Sequence, residues 1–399
     1  MTPGHRIYAD YNATAPLRPE AKAAMAAALD LTGNPSSVHA EGRRTRALVE
    51  GAREAVAAAI GACRDDIAFT SGGTEAVQAP LRGALAVQGE TTLFHASGIE
   101  HDAVAAVVSD FFMPSQGHAL ATSLDAWLVG ADGRVDLDQL QAVVNAEASS
   151  GLKPLVSLML VNNETGVIQP VAEAAEIVHA AGGLIHCDAI QALGKVEVTI
   201  IDLDVDYLSL SAHKIGGPQG VGAFYVKPGA PFRAMQTGGG QEFGRRAGTE
   251  NVAGIAGLGA AVDAALAGLS QYEGLRTARD GMEAMLKQAV PALQVHGGAS
   301  PRVAGVSCFG VEGLPSETQV MGLDLAGFAV SAGSACSSGK VKPSRVLTAM
   351  GLNDTAARSA IRASFGWGSK PEEFEALGRA WLKMAARARP QLVKLDANV

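Results

Sequence analysis

The sequence predicts an α/β protein in which a mostly parallel sheet is covered by helices and followed by a smaller α+β domain. First, short apolar runs bounded by Gly, Asp or Asn alternate with stretches of helical pattern. Second, these runs are apolar on both faces, as are strands of a parallel sheet buried between helices. Third, the pattern changes after about Gly254, where a long helical stretch precedes alternating strands and two final helices.

Each element is predicted from the turn and capping residues that bound it. Strands are predicted where short apolar runs end in turn residues. They fall at 67–70, 155–161, 184–188, 207–210, 222–226, 303–307 and 329–330. A helix is predicted over 172–181, because Gly182 and Gly183 follow it as a C-cap signal. Further helices are predicted over 256–290, around Thr348 and over 371–394.

Composition excludes several classes of protein. The chain has 399 residues and a formal net charge of −8, which argues against non-specific binding to nucleic acid. No run is long and apolar enough to span a bilayer, and the first residues lack the apolar core of a secretory signal. We therefore expect a cytoplasmic protein with no membrane partner. The four cysteines show no zinc-type spacing, so we expect no metal site of the chain's own.

Lys214 stands between a predicted strand and a Gly/Pro-rich turn. A lysine at such a strand end can form a Schiff base, and Ser211 and His213 beside it can donate hydrogen bonds to a phosphate. Taken by themselves, the residues next to Lys214 favour an ordinary surface lysine. Asp188 ends another apolar strand, where a carboxylate is costly without a cation. The ring nitrogen of pyridoxal 5′-phosphate (PLP) is such a cation, although an aspartate capping the next turn is common too.

A Gly-rich turn containing Gly73 and Thr74 lies between a predicted strand and a predicted helix. Backbone N–H groups at a helix N-terminus, together with a threonine hydroxyl, make a cradle for a phosphate. Such turns also occur for geometric reasons alone. The turn lacks the Gly-Lys-Ser/Thr ending of a Walker A loop.

Two further residues are candidates for chemistry. Cys336 lies in a run of Gly, Ser and Ala that offers little to bury it, so the thiol is expected to be accessible and favoured as thiolate. A chance cysteine in a flexible linker is the alternative. Cys187 and Cys308, in apolar runs, are expected to be buried. Arg362, in an apolar strand pattern, is expected to pair with a protein carboxylate or with the α-carboxylate of a substrate.

In their order along the chain, these motifs resemble the PLP-dependent cysteine desulfurases of the class V aminotransferase group. The matching stretches are 10–16, 33–39, 70–75, 100–101, 161–166, 186–188, 211–218, 246–249, 334–336 and 361–362. The Ser-Ala-Cys sequence ending at Cys336 is similar to the long-loop type. The chain departs from the family at Ala76-Val77-Gln78, where Ser-Asp-Asn is common, and at Ala212, where Gly is usual.

The resemblance implies a type I PLP-dependent transferase fold with a mostly parallel, seven-stranded sheet. It implies a large domain over 17–262 and a small domain made of 1–16 and 263–399, which carries the loop of Cys336. It also implies a homodimer.

The resemblance assigns roles to individual residues. Lys214 forms the Schiff base and shuttles protons, His101 stacks on the ring and acts as acid and base, and Cys336 is the nucleophile that becomes a persulfide. The other implied contacts form a longer set. Asp188 holds the ring nitrogen; Gln191 and Asn163 bond the phenolic oxygen; Gly73, Thr74, Ser211, His213 and Thr249 of the partner subunit bind the phosphate; and Arg362 and Asn163 hold the substrate carboxylate.

The implied reaction removes sulfur from L-cysteine and leaves L-alanine and a Cys336 persulfide. The sulfur would pass to an iron–sulfur scaffold or another acceptor protein, and the persulfide could transiently ligate a cluster held with that scaffold. General cluster assembly, nitrogenase maturation and tRNA thiolation stay open. One alternative is another class V enzyme, either an aminotransferase or a lyase acting on selenocysteine or cysteine sulfinate. Another is a sulfur-delivery protein with a vestigial PLP site. Cys336 argues against transamination, which needs no mobile thiol.

Overall fold

The computed structural model describes residues 6–88, 92–111, 129–332 and 343–393. The strands in these ranges are β1 (Ile7–Tyr8), β2 (Ile67–Thr70), β3 (Thr92–Ala96), β4 (Lys153–Met159), β5 (Leu184–Asp188), β6 (Tyr207–Ser211), β7 (Gly222–Val226), β8 (Gln294–Val295), β9 (Val306–Gly310), β10 (Phe328–Ala329), β11 (Ser331–Ala332) and β12 (Ala360–Ser364). The helices are α1 (Pro19–Leu29), α2 (Ala40–Ile60), α3 (Gly73–Gln88), α4 (Asp102–Phe111), α5 (Leu137–Ser149), α6 (Val171–Ala180), α7 (Ile200–Leu203), α8 (Val252–Ala267), α9 (Leu269–Glu273), α10 (Arg276–Ala289), α11 (Ser316–Leu325), α12 (Arg345–Ala349), α13 (Asp354–Ala357) and α14 (Pro371–Ala388).

The central sheet has the strand order β2-β7-β6-β5-β4-β3. Strands β3 to β6 run parallel, while β7 is antiparallel to both β6 and β2. This confirms the predicted α/β class with a mostly parallel sheet. Within the described residues the sheet has six strands, not the expected seven. The edge strand β3 is followed by α4, after which the chain enters residues 112–128, outside the described part.

Alternating side chains explain why both faces of the sheet are buried. Along β6, Tyr207 packs against the cluster formed by α3 and α4, while Leu208 packs into the larger cluster on the opposite face. Along β4, Leu155 and Val156 divide between the same two clusters. Because successive strand residues point to opposite faces, a strand covered on both sides must be apolar throughout. The continuous apolar runs in the sequence have this cause.

A second sheet, with the strand order β11-β12-β9-β8, is antiparallel and packs with α10, α11 and α14. The N-terminal strand β1 pairs with β10, and Asp10 forms a bridge with Ser364. The start of the chain therefore lies beside its C-terminal part. The predicted domain limits stay a prediction.

The helical stretch predicted over 256–290 is confirmed, and it is divided into several helices. Three helices, α8, α9 and α10, occupy this stretch, with breaks at Gly268 and Gly274. Glycine weakens a helix interior, and here it ends two of them. Within the described residues no single helix is long and apolar enough to cross a membrane, and one pair bent by 59°, Val252–Ala267 with Leu269–Ala289, meets that test by length and composition only.

The core of the C-terminal part predicts a large effect of one substitution. Trp381 is fully buried, donates a hydrogen bond from Nε1 to Oε1 of Gln319 (2.8 Å), and packs edge-on against Phe309. Trp381→Ala should lower the free energy of unfolding by about 3–5 kcal/mol, through lost burial and the cavity left behind. The control Leu325→Ala removes a side chain that is 88% exposed and should change it by less than about 0.5 kcal/mol. Urea unfolding followed by circular dichroism measures both, and equal effects would contradict the packing described.

Candidate active site

The candidate site lies where β4, β5 and β6 end. Met159 is in register with Asp188, and Asp188 with Ser209, so the carboxyl ends of these parallel strands meet at one edge of the sheet, where α/β proteins bind ligands. A cavity of about 440 Å³ opens there. The predicted site residues that line it are Gly73, Thr74, His101, Asn163, Asp188, Gln191, Ser211, His213, Lys214 and Arg362.

Lys214 ends a short 3-10 turn, Ala212–Lys214, that directly follows β6. Its Nζ donates hydrogen bonds to the backbone oxygens of Asn12 (2.6 Å) and Ala13 (2.8 Å). Burial, and then the charge of Arg362, lowers the pKa of Lys214 to about 8. A substantial fraction of Lys214 therefore carries a neutral amine near that pH, the form that attacks a carbonyl carbon.

Ala212 replaces the family's glycine without strain. Its φ is not positive, so the backbone conformation at this position does not require glycine. The methyl group is fully buried, and a Cβ on Gly217 would lie 2.9 Å from it. The space for the methyl group of Ala212 thus depends on the absence of a side chain at Gly217.

Asp188 is a buried carboxylate in need of a cation. Its Oδ1 accepts a hydrogen bond from the N–H of Ile190 (2.9 Å), which also fits the alternative of a turn-capping aspartate. Burial raises the pKa of Asp188, and the charges of His101 and Lys214 oppose this only in part. A protonated ring nitrogen in the cavity would stabilise the charged form.

The N-terminus of α3 is suited to an anion. Gly73 is its first residue, so the backbone N–H groups of the first turn lack partners in the helix. Beside it, the hydroxyl oxygen of Ser211 is buried and has no hydrogen-bond partner in the described part of the chain. A Cβ on Gly73 would lie 2.9 Å from Ile190 and 3.2 Å from Ser211 Oγ, so only glycine leaves this corner open. A phosphate would satisfy both the helix end and the hydroxyl.

His213 also lines the cavity. Its Nδ1 is 3.2 Å from the hydroxyl oxygen of Thr14. Burial, reinforced by the charge of Lys214, lowers the pKa of His213 to about 4. The ring is therefore neutral near pH 7 and offers one N–H group rather than a positive charge.

Arg362, on β12, pairs with a protein carboxylate, which was one of the two partners expected from the sequence. Its Nη2 donates to Oδ1 of Asp10 (2.7 Å) and its Nη1 to the backbone oxygen of Asn163 (3.0 Å). Asp10 is held in turn by the hydroxyl of Ser331 (2.7 Å). The Nε of Arg362 is buried without a partner among the described residues. The side chain also lines the cavity, so a donor is left for a substrate carboxylate.

His101 directly precedes α4, and its Nδ1 accepts a hydrogen bond from the N–H of Ala103 (3.1 Å). In the neutral ring this leaves the proton on Nε2. The side-chain amide of Gln78 donates to the backbone oxygen of Ala103 (3.2 Å) and so ties α3 to this turn. Ala76 and Val77 are fully buried. The departure from the family at these three positions therefore serves packing and the placement of α4.

Two predicted residues are not part of the described cavity. Thr249 is exposed and does not line it, and its role in the partner subunit stays a prediction. Cys336 lies outside the described residues. The burial predicted for Cys187 and Cys308 is confirmed, and burial raises the pKa of both thiols, so neither is suited to act as a nucleophile.

Sequence reasoning assigned no role to Glu100, which also lines the cavity. Its Oε1 accepts hydrogen bonds from the N–H of Met159 (2.8 Å) and the hydroxyl of Ser97 (3.0 Å), while Oε2 has no partner in the described ranges. Burial raises the pKa of Glu100 to about 8, and the charge of Asp188 adds to the shift. In the sequence, the only indication that Glu100 belongs to the site is its position directly before His101.

The fold and this site together define a type I PLP-dependent enzyme, and comparison with known proteins narrows the class. Residues 7–377 match the family model described as Aminotransferase class-V. A cysteine desulfurase from Cereibacter sphaeroides is 42% identical over 374 residues, which are 93% of this chain and 94% of that protein. A solved structure described as a NifS-like protein has a TM-score of 0.86 at 30% identity and covers 96% of this chain and 100% of its own. Another, described as SspA in complex with cysteine, has a TM-score of 0.77 at 26% identity and covers 90% and 99%.

The chain therefore belongs to the class V aminotransferase family and, within it, to the PLP-dependent cysteine desulfurases. This confirms the resemblance drawn from the ordered motifs.

The shifted pKa of Glu100 predicts a change in the pH dependence of stability. The pKa is about 8 in the folded protein and 4.5 without burial, so the stabilisation linked to this group is complete below about pH 4.5 and is lost as the pH rises through about 8. Glutamine does not titrate. The free energy of unfolding of Glu100→Gln, relative to that of the parent protein, should therefore rise between about pH 5 and about pH 9.

Urea unfolding of the PLP-free protein at both pH values measures this difference. The matched control is Glu173→Gln on the exposed side of α6, which should leave the pH dependence unchanged. A Glu100→Gln variant whose stability keeps a constant offset from the parent at both pH values would show that Glu100 titrates normally.

Proposed function

We propose that this protein binds PLP at Lys214 and removes sulfur from L-cysteine, leaving L-alanine and a persulfide on Cys336. The observation that carries the proposal is that one cavity combines three groups, each lacking what PLP would bring. Lys214 is an amine of lowered pKa. Among the described residues, Asp188 has no cation in contact with it, and the hydroxyl of Ser211, beside a helix N-terminus, has no hydrogen-bond partner. The cysteine desulfurase relatives, and a related structure described as a complex with cysteine, support the substrate.

The residues of the cavity fit each part of the cofactor. Asp188 would hold the ring nitrogen, and Gln191 and Asn163 would bond the phenolic oxygen. The phosphate would be held by Gly73, Thr74, Ser211, His213 and Thr249 of the partner subunit. Bound PLP supplies an electron sink that makes the bonds at the α-carbon of an amino acid easier to break.

The protein's own groups supply binding and proton transfer. Arg362 would bind the substrate carboxylate through its free donor, while Asp10 keeps the guanidinium oriented. Lys214, with a pKa of about 8, can both take and return a proton near neutral pH. His101 would stack on the cofactor ring and use its Nε2–H as an acid. Glu100 is uncharged at neutral pH and would add no negative charge beside Asp188.

The transfer of sulfur is assigned to Cys336 from its motif. The Cys336 thiolate would attack the sulfur of L-cysteine, so that an S–S bond forms and the substrate C–S bond breaks. The carbon released gains a proton, and the products are L-alanine and the Cys336 persulfide. A homodimer and an acceptor protein, such as an iron–sulfur scaffold, complete the proposal. We also propose a cytoplasmic location, where thiols are kept reduced.

Loss of Lys214 tests the cofactor site. Lys214→Ala should lose the visible absorbance that the parent protein gains from lysine-bound PLP, because no other lysine of the described ranges lines the cavity. The spectrum is recorded after incubation with PLP and gel filtration. Lys153→Ala, at the exposed start of β4, is the matched control and should keep the absorbance. An unchanged spectrum in Lys214→Ala would place the cofactor elsewhere.

Loss of Cys336 tests the reaction. Cys336→Ser should still bind PLP and L-cysteine but release no sulfide when a reducing thiol is present. The control is Cys63→Ser, which replaces an exposed cysteine and should keep full release. Alanine, sulfide and keto acid are assayed together. Sulfide release by Cys336→Ser at the parent rate would remove Cys336 as the nucleophile, and a keto acid product would favour an aminotransferase.

A further inference from the structure

A lysine outside the predicted set, Lys195, lies buried behind the cavity. It is only 7% exposed, and its Nζ donates hydrogen bonds to Oδ1 of Asn12 (2.7 Å) and Oε1 of Gln191 (2.5 Å). Both partners are neutral amide oxygens, and no carboxylate pairs with Lys195 within the described ranges. Burying an amine without a carboxylate is costly, so stability alone gives little reason for a lysine here.

The contacts of Lys195 fix the orientation of two amides. The two amide oxygens can only accept, so Lys195 donates to both, and the NH₂ group of each amide points away from it. Nδ2 of Asn12 donates to the backbone oxygen of Asn163 (3.0 Å), and Nε2 of Gln191 donates to the backbone oxygen of Asn12 (3.0 Å). Rotating either amide by half a turn would set its oxygen against the backbone oxygen to which its NH₂ group now donates, whether or not Lys195 is protonated.

The two backbone oxygens reached in this way accept hydrogen bonds from two basic side chains of the cavity. The oxygen of Asn12 also accepts from Lys214 Nζ (2.6 Å), and the oxygen of Asn163 also accepts from Arg362 Nη1 (3.0 Å). One buried amine is thus linked by hydrogen bonds to the proposed cofactor lysine and to the proposed substrate arginine. It contacts neither of them directly.

We infer that Lys195 is a positioning residue whose two hydrogen bonds orient Asn12 and Gln191 and thereby place Lys214 and Arg362 for PLP and substrate. The role requires two N–H donors, which an amine provides whether or not it is protonated. Burial and the charges of Lys214 and Arg362 lower the pKa of Lys195 well below its usual range. The measurements with PLP and L-cysteine that test this role rest on the proposed function.

Lys195→Met keeps the length and apolar character of the side chain but removes both donors. We expect its PLP dissociation constant and its KM for L-cysteine each to rise roughly three- to tenfold, the effect of one lost hydrogen bond. The pH midpoint of the visible absorbance should rise, because the side-chain amide donor of Gln191 loses its orientation near the cofactor. Lys195→Gln keeps two N–H donors and should recover most of the PLP affinity and the KM. Lys153→Met, at an exposed site, is the matched control.

A measurement on the PLP-free protein separates this inference from the proposed function. In Lys195→Met, an amine-reactive reagent should label Lys214 faster than in the parent, as followed by mass spectrometry, because the Asn12 carbonyl no longer holds it in place. If the parent protein itself binds no PLP, the proposed function fails and the labelling rate alone decides on Lys195.

Parent values for affinity, KM, pH midpoint and labelling rate in a folded Lys195→Met would overturn the inference, even if its unfolding temperature fell. If that variant does not fold, Lys195→Gln decides. Near-parent affinity and KM in Lys195→Gln support positioning through the two donors, and losses beyond tenfold overturn it.

Discussion

The burial of ionisable groups at one edge of a parallel sheet is the constraint on which the rest of the site depends. Taking a charge out of water is unfavourable, so each buried group is driven toward its neutral form unless a neighbour compensates. The pKa values of Asp188 and Glu100 are raised and those of Lys214 and Lys195 are lowered, with burial as the largest cause in each case. Arg362 is stabilised instead by Asp10.

This unbalanced arrangement is what a charged cofactor would complete. A ring cation would compensate Asp188, and a phosphate would meet the N-terminus of α3 and the unpartnered hydroxyl of Ser211. The protein without ligand gives up some stability at this edge, and the ligand would restore part of it on binding. The same imbalance keeps Lys214 partly deprotonated, so the cost in stability and the reactivity have one cause.

Much of this could be predicted from the sequence, for physical reasons. The strands were found because two-sided burial demands continuous apolar runs. The resemblance assigned Asp188 and Ser211 to one site, and the parallel strands of the structure do end at one edge. What the sequence did not specify depended on tertiary context. The break at Gly268 lies inside a continuing helical pattern, and Asp10, the carboxylate that pairs with Arg362, is 352 positions away from it. Nothing in the spacing around Lys195 distinguishes it from a surface lysine, because only packing decides which charges are buried.

Contacts between distant residues also shape the segment that leads to the N-terminus of α3, where the phosphate is proposed to bind. Glu242 and Phe243 have φ values of 50° and 55°, a left-handed conformation that costs non-glycine residues of order 1–3 kcal/mol each. It persists because the Glu242 carboxylate accepts from the guanidinium of buried Arg53 at 2.6 and 3.2 Å and from the N–H of Phe69 at 2.8 Å.

The chain that leaves this kink leads to Arg246, whose Nε lies 3.0 Å from Oε1 of Glu75 in the first turn of α3. Thr249 follows three residues later. The strained backbone at Glu242 and Phe243 thus leads into a segment that contacts the N-terminal turn of α3, where the phosphate is proposed to bind. Arg53, on α2, is linked through Glu242 and the segment of Arg246 to Glu75, the neighbour of Thr74 in the cavity. Neither Arg53 nor Lys195 lines the 440 Å³ cavity, yet each is buried and connected through its hydrogen-bonded partners to residues in the cavity or next to it.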